Sequence, residues 1–177
     1  MGFLRLFLGS KTVAIRAIAK SLTKQAIVCT GMSLFKYRIY ISKDNRRQSM
    51  VITAMAYTHF FMHSFNRMYF QLYGSQKLIV AQNALFPIIA YEFNQYFSEV
   101  SNDIFFDAYD FIEPRLAECG QILSSDGSIM FLDRDSALSV FANVLCETIF
   151  NEPQSNNPII IATIQEAAVD GLLNIDF

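Results

Sequence analysis

Between residues 11 and 30 apolar side chains return at Ile15, Ile18, Leu22 and Ile27, while Arg16, Lys20 and Lys24 recur at every fourth position on another side. Intervals of three to five residues gather each set on one face of a helix, so the spacing predicts a basic amphipathic helix. Alanines enrich its first turns, and Gly31 stands where such a helix would end. Phe35, Tyr37, Ile39 and Ile41 then alternate with Lys36, Arg38 and Tyr40, which is the period of a short strand or extended arm. Residues 42–48 hold no apolar side chain and predict a loop.

The next stretch, 50–73, is apolar on nearly every face, from Met50 and Ile52 through Phe60, Phe61 and Phe65 to Leu72. A helix of that kind belongs in the middle of a bundle. Gly74 ends it, and Ser75 is placed to cap a second long helix to about residue 97, with a kink expected at Phe86 and Pro87. Ser101 or Asn102 caps the following helix, whose far end Pro114 and Gly120 make irregular. The turn residues 124–127 separate an apolar pair, Ile122 and Leu123, from the apolar triplet Ile129, Met130 and Phe131, and suggest a small hairpin. Asp133 or Asp135 then caps a helix to about residue 150. Asn157 followed by Pro158 starts a last helix to about residue 169, with Gly171 as its stop and an apolar tail that docks back on the core. The sum is a mainly α, single-domain bundle of five or six helices over 1–177, with room for a minor β element near 34–41 or 122–131.

Composition sharpens this picture. With 53% hydrophobic residues in 177 the chain has material for one core, and only 17% are charged, so the few charges carry most of the information about partners. Ten of the fourteen Lys and Arg lie in residues 1–47 beside a single acid, Asp44, whereas residues 48–177 hold four cations against fifteen carboxylates. The chain therefore divides into a basic N-terminal segment, 1–47, and an acidic helical core, 48–177. A one-signed surface steers binding toward the opposite sign. Cys29, Cys119 and Cys146 are odd in number, widely spaced and set among apolar residues, and they read as buried free thiols in a reducing cytoplasm.

Three functional readings follow. The first is a non-enzymatic interaction or assembly protein that binds a protein partner, itself, or an anionic membrane surface through Arg5, Lys11, Arg16, Lys20 and Lys24, the last giving a membrane-associated cytoplasmic protein. In the second, Lys36, Arg38, Lys43, Arg46 and Arg47 contact nucleic-acid phosphates while Phe35, Tyr37 and Tyr40 stack on bases. The third is a small-molecule or metal site around His59 and His63, which four-residue spacing puts on one helix face; a metal would need a further ligand, expected from a carboxylate within 92–110. Glu92, Glu99, Asp103, Asp107, Asp110 and Glu113 recur at helical intervals and form a solvated acidic face or a dock for a basic partner. No nucleophile elbow, Gly-rich phosphate loop or Cys–His signature is present in the sequence, and no cofactor is implied.

Overall fold

A computed structural model describes residues 11–37, 40–118, 136–150 and 156–175. They form six α-helices: α1 (Lys11–Tyr37), α2 (Arg46–Tyr73), α3 (Ser75–Asn94), α4 (Asn102–Ala117), α5 (Ala137–Ile149) and α6 (Pro158–Leu173). No strand occurs among the described residues. The helix-rich single bundle is as the sequence predicts. The segment 34–41 is not a strand as far as it is described: its first four residues are the last turn of α1, and the 122–131 hairpin lies outside the described residues.

The centre is α2. Ten consecutive residues, 57–66, are buried, so no side of that stretch faces water. Around it pack α1, α3, α4 and α5, while α6 lies against α1 and α5. Phe60 stacks on Phe141 of α5 with ring centroids 4.5 Å apart, and Tyr57 meets the same ring at 5.3 Å. Phe93 of α3 and Phe105 of α4 approach to 5.2 Å. Each fully buried Phe removes enough apolar area from water to stabilise by about 1.5–3 kcal/mol. Four buried hydroxyls on α1 and α2 are satisfied locally: Thr30, Thr53, Thr58 and Ser64 each donate to the carbonyl four residues earlier. Tyr57 donates to the Ile164 carbonyl at 3.2 Å and accepts from Ser33 at 2.5 Å, tying α1, α2 and α6 at one point.

Helix ends follow local chemistry with several departures. Ser101 accepts from the Ile104 amide and Asn157 from the Ile159 amide, both as expected. At α5 the cap is Ser136, which accepts from Ser139, so neither Asp133 nor Asp135 is used. Gly74, at φ 78°, both ends α2 and precedes α3, so Ser75 is the first helical residue rather than a cap. A side chain there would be strained. The helix α2 begins at Arg46, inside the expected loop. Pro87 does not stop α3; it and Asn83, the residue one turn earlier, are exposed, so the carbonyl left without a donor is open to water.

Two glycines expected to stop helices lie inside them. Gly31 is exposed in α1 and an added Cβ would meet nothing within 4 Å, so burial of Ser33 and Tyr37 beyond it carries the helix through. Gly171 is buried in α6, where a Cβ would overlap Phe61 and lie 2.6 Å from Cys29 Sγ. It is a packing glycine that lets α6 approach α1 and α2. Beyond it Ile175 docks in the core as expected, Leu173 is exposed, and Phe177 lies outside the described residues.

This contrast predicts opposite outcomes for one substitution. Gly171→Ala should destabilise by about 1–3 kcal/mol through overpacking. Gly31→Ala should be neutral or stabilise by up to about 1 kcal/mol, because alanine is the better helix former at an open site. Urea unfolding followed by circular dichroism checks both, and equal effects would remove the close approach at Gly171.

Candidate functional site

The charge division of the sequence falls on whole helices. Residues 11–91 contain eleven Lys and Arg and one acid, Asp44, whereas residues 92–177 contain two Arg and fifteen acids. Because Asp44 sits in the turn before α2, the helices α1 and α2, and α3 as far as Tyr91, carry no carboxylate at all. The sign changes near the end of α3, well beyond residue 47. The described Lys and Arg ion pairs cross this boundary: Arg16 Nε to Glu92 at 3.6 Å, Lys36 Nζ to Glu166 at 3.1 Å, and Arg47 Nη2 to Glu99 at 2.7 Å. The basic segment is thus folded onto its own acidic half. Half-exposed pairs of this type contribute about 0–1 kcal/mol each and align helices more than they hold them.

Folding decides which residues of α1 remain available. Ile18, Ala19, Leu22, Ala26 and Cys29 are buried, so the apolar face of α1 is core. What remains outward is a stripe at near-fourfold spacing: Arg16, Lys20, Lys24, then Val28, Met32 and Phe35. It runs about 28 Å along the helix at 1.5 Å per residue and changes from cationic to apolar halfway. Arg5, Arg38 and the Lys11 side chain lie outside the described residues. The outward face of α4 shows Asp103, Asp107 and Asp110 with Ile104 and Phe111 exposed among them. Of the apolar members of both faces, the sequence pattern singles out Phe35 alone, and for another role. The continuation of the Arg16, Lys20, Lys24 interval into Val28 and Met32 was the available signal.

The second basic set is partly engaged within the molecule. Lys36 is held by Glu166, and Arg47 by Glu99 with its guanidinium 5.2 Å from the Phe97 ring centre. Lys43 and Arg46 are exposed. Phe35 and Tyr40 are exposed, but Tyr37 is buried edge-on against Phe150 and cannot stack on a base.

His59 and His63 are buried between α2 and α4. Phe105 and Tyr109 present ring edges to His59, at centroid distances of 4.6 and 5.6 Å. Burial pushes the His59 pKa down to about 3, against a weaker opposing hydrogen bond to the Phe105 backbone. His63 Nδ1 lies 2.9 Å from Glu113 Oε2, and one turn on Asn66 donates to the Tyr109 hydroxyl at 2.8 Å. Burial first, then Glu113, raises the Tyr109 pKa well above the phenol range. This row of polar contacts joins α2 to α4. The carboxylate that meets the pair is Glu113, beyond the expected 92–110 stretch, and no group of three or more His, Cys, Asp or Glu able to hold a metal occurs among the described residues.

The described thiols are poor nucleophiles. Burial, aided by Asp170, raises Cys29 to about 12, and its Sγ donates to the Ala167 carbonyl at 3.0 Å. Burial raises Cys146 to about 11. Both therefore stay protonated near neutral pH. Cys119 lies outside the described residues. No described helix is long and apolar enough to cross a membrane.

Burial of neutral His59 carries a pH prediction. The unfolded chain binds a proton at this residue near 6.5, while the folded chain stays neutral to about 3. Stability should therefore fall as pH drops through that window, by up to about 1.4 kcal/mol per unit from this group. Between pH 6.5 and 5.0 the stability of a His59→Phe variant should decline less steeply than that of the wild type in urea titrations. Equal slopes would put the imidazole in contact with solvent.

No protein-family model matches the chain, and no curated protein and no solved structure is significantly similar to it.

Proposed function

We propose that this protein is a non-enzymatic assembly component that binds further copies of itself, the outward face of α1 on one copy meeting the outward face of α4 on the next. One observation carries the reading: each helix shows exposed residues mainly of one charge sign with apolar residues among or beyond them, the one cation of α4, Arg115, lying over the Phe111 ring at 4.0 Å. On α1 these are Lys20 and Lys24 with Val28, Met32 and Phe35; on α4 they are Asp103, Asp107 and Asp110 with Ile104 and Phe111. Within one molecule α1 packs on α2, α3 and α6, and α4 on α2, α3 and α5, and among the described residues no ion pair joins the two stripes. Between copies they are complementary in charge and in apolar character. Joining two different faces is a heterologous contact, which builds rings or open chains rather than a twofold dimer.

Burial of the inward face of α1 favours this reading over membrane insertion by that helix, because its isoleucines and leucine cannot leave the core without unfolding it. The engagement of Lys36 and Arg47 by carboxylates favours it over nucleic acid.

Light scattering coupled to size exclusion tests the proposal. Wild type should associate with rising concentration and dissociate at high salt, since exposed charges are screened over about 10 Å at 0.1 M. Lys20→Glu with Lys24→Glu, or Asp103→Lys with Asp107→Lys, should each weaken association at least tenfold. An equimolar mixture of the two double variants should associate again, because each supplies the face the other has lost. Monomers for wild type at every concentration and salt would overturn the assembly, and pelleting of those monomers with anionic but not neutral vesicles would reassign the α1 face to lipid.

A further inference from the structure

The α2–α3 hairpin leaves an apolar groove of about 550 Å³ apart from the faces just described. Ile15 and Ile18 of α1 form one wall, Phe65 and Tyr69 of α2 another, and Val80 and Leu85 of α3 a third. Ala81 and Ala84 complete the α3 side, and their single methyl groups are why the space stays open: larger residues there would close it against the aromatic wall. Among the described residues its polar lining comes from Gln76 and Lys77, both exposed in the first turn of α3, and from the Tyr69 side chain. Val80 is 69% exposed, and its neighbour Ile79 is 56% exposed, so the apolar surface continues past the groove.

We infer that this groove binds a long-chain fatty acid, its hydrocarbon chain between α1, α2 and α3 and its carboxylate at Lys77. The volume lies in the range of small-molecule sites, whose usual character is apolar walls with a few polar groups that set orientation. Charge selects the head group. The three helices that build the groove contain no carboxylate before Glu92, so an anion meets a cation and no fixed repulsion, while a cationic amphiphile meets Lys77 with nothing to balance it. Lys77 is held at the groove's end with Nζ 5.5 Å from the Tyr73 ring centre. A single cation beside a single groove suits one chain with one charged head, rather than a two-chain lipid. The site is independent of self-assembly, because neither Lys20, Lys24 nor the α4 acids line it.

Calorimetric titration of the full-length protein with saturated fatty acids of eight to sixteen carbons, and with the matching alcohols and alkyltrimethylammonium ions, tests this. Affinity should rise about fourfold per added methylene until the groove is filled, then level. Acids should bind at least tenfold tighter than alcohols, and the cations weakest. Val80→Glu, at an exposed position that leaves the fold intact, should weaken fatty-acid binding at least tenfold, as should Ala84→Trp by filling the groove. Lys77→Gln should remove the preference for acid over alcohol while retaining the dependence on chain length. No saturable binding of any chain, or affinities independent of both length and head group, would overturn the inference. Uptake only from vesicles of anionic phospholipid would assign the surface to a membrane instead. Binding that appears only in a Phe3→Ser, Phe7→Ser variant would assign the groove to the chain's own N-terminal segment.

Discussion

Everything in this bundle depends on a helix that has no solvent face over nearly three turns. From residue 57 to 66 each side chain of α2 is buried, so every direction around it needs a neighbouring helix. That stretch contains no Lys, Arg, Asp or Glu, since an unpaired charge there would carry a desolvation penalty of several kcal/mol. The polar groups it does contain are uncharged or closely met. Thr58 and Ser64 bond their own backbone, Tyr57 bonds α1 and α6, and His63 meets Glu113. Asn66 reaches Tyr109, and His59 remains neutral among aromatic edges. A central helix built this way makes its neighbours interdependent, because removing any one would expose aromatic surface.

Excluding charge from the middle pushes it to the outer helices, and the order of the chain then sorts it by sign. Arg16 and Lys36 of the cationic helix α1 reach Glu92 of α3 and Glu166 of α6, and Arg47 of α2 reaches Glu99 in the turn before the acidic helix α4. These pairs satisfy only part of the charge. The remainder is displayed as two opposed stripes, each with exposed apolar residues, and this display follows from burial of the central helix rather than from any local motif. The groove between α1, α2 and α3 has a related origin. Phe65 and Tyr69 line it from the edge of the core, and the small side chains of Ala81 and Ala84 leave space beside them.

The legible part of the fold was the part governed by short-range periodicity. The central character of 50–73, the Ser101 and Asn157 caps and the break at Gly74 all follow from spacing and backbone chemistry within a few residues. Glycine misled at positions 31 and 171, where tertiary burial outweighs a preference of about 1 kcal/mol against glycine in a helix. The alternation at 34–37 misled for the same reason: Tyr37 is buried against Phe150, and packing extends α1 over residues whose local pattern suits a strand. Of the candidate site residues, sequence spacing placed Arg16, Lys20 and Lys24 on one face and His59 with His63 on another, and both groupings persist. It could not show that Lys36 and Arg47 are engaged by Glu166 and Glu99, which lie 130 and 52 residues away.

By itself, then, the sequence determined a helical bundle with a central helix apolar on nearly every face and a chain split between a basic and an acidic part, because periodicity and charge order are properties of neighbouring residues. Only the tertiary structure decided which face of α1 is core and which is surface, that Gly171 is a packing contact, that Glu113 is the partner of His63, and that a groove remains beside Lys77. Each of these depends on atoms far apart in the chain being brought within a few ångströms, and no local spacing carries that information.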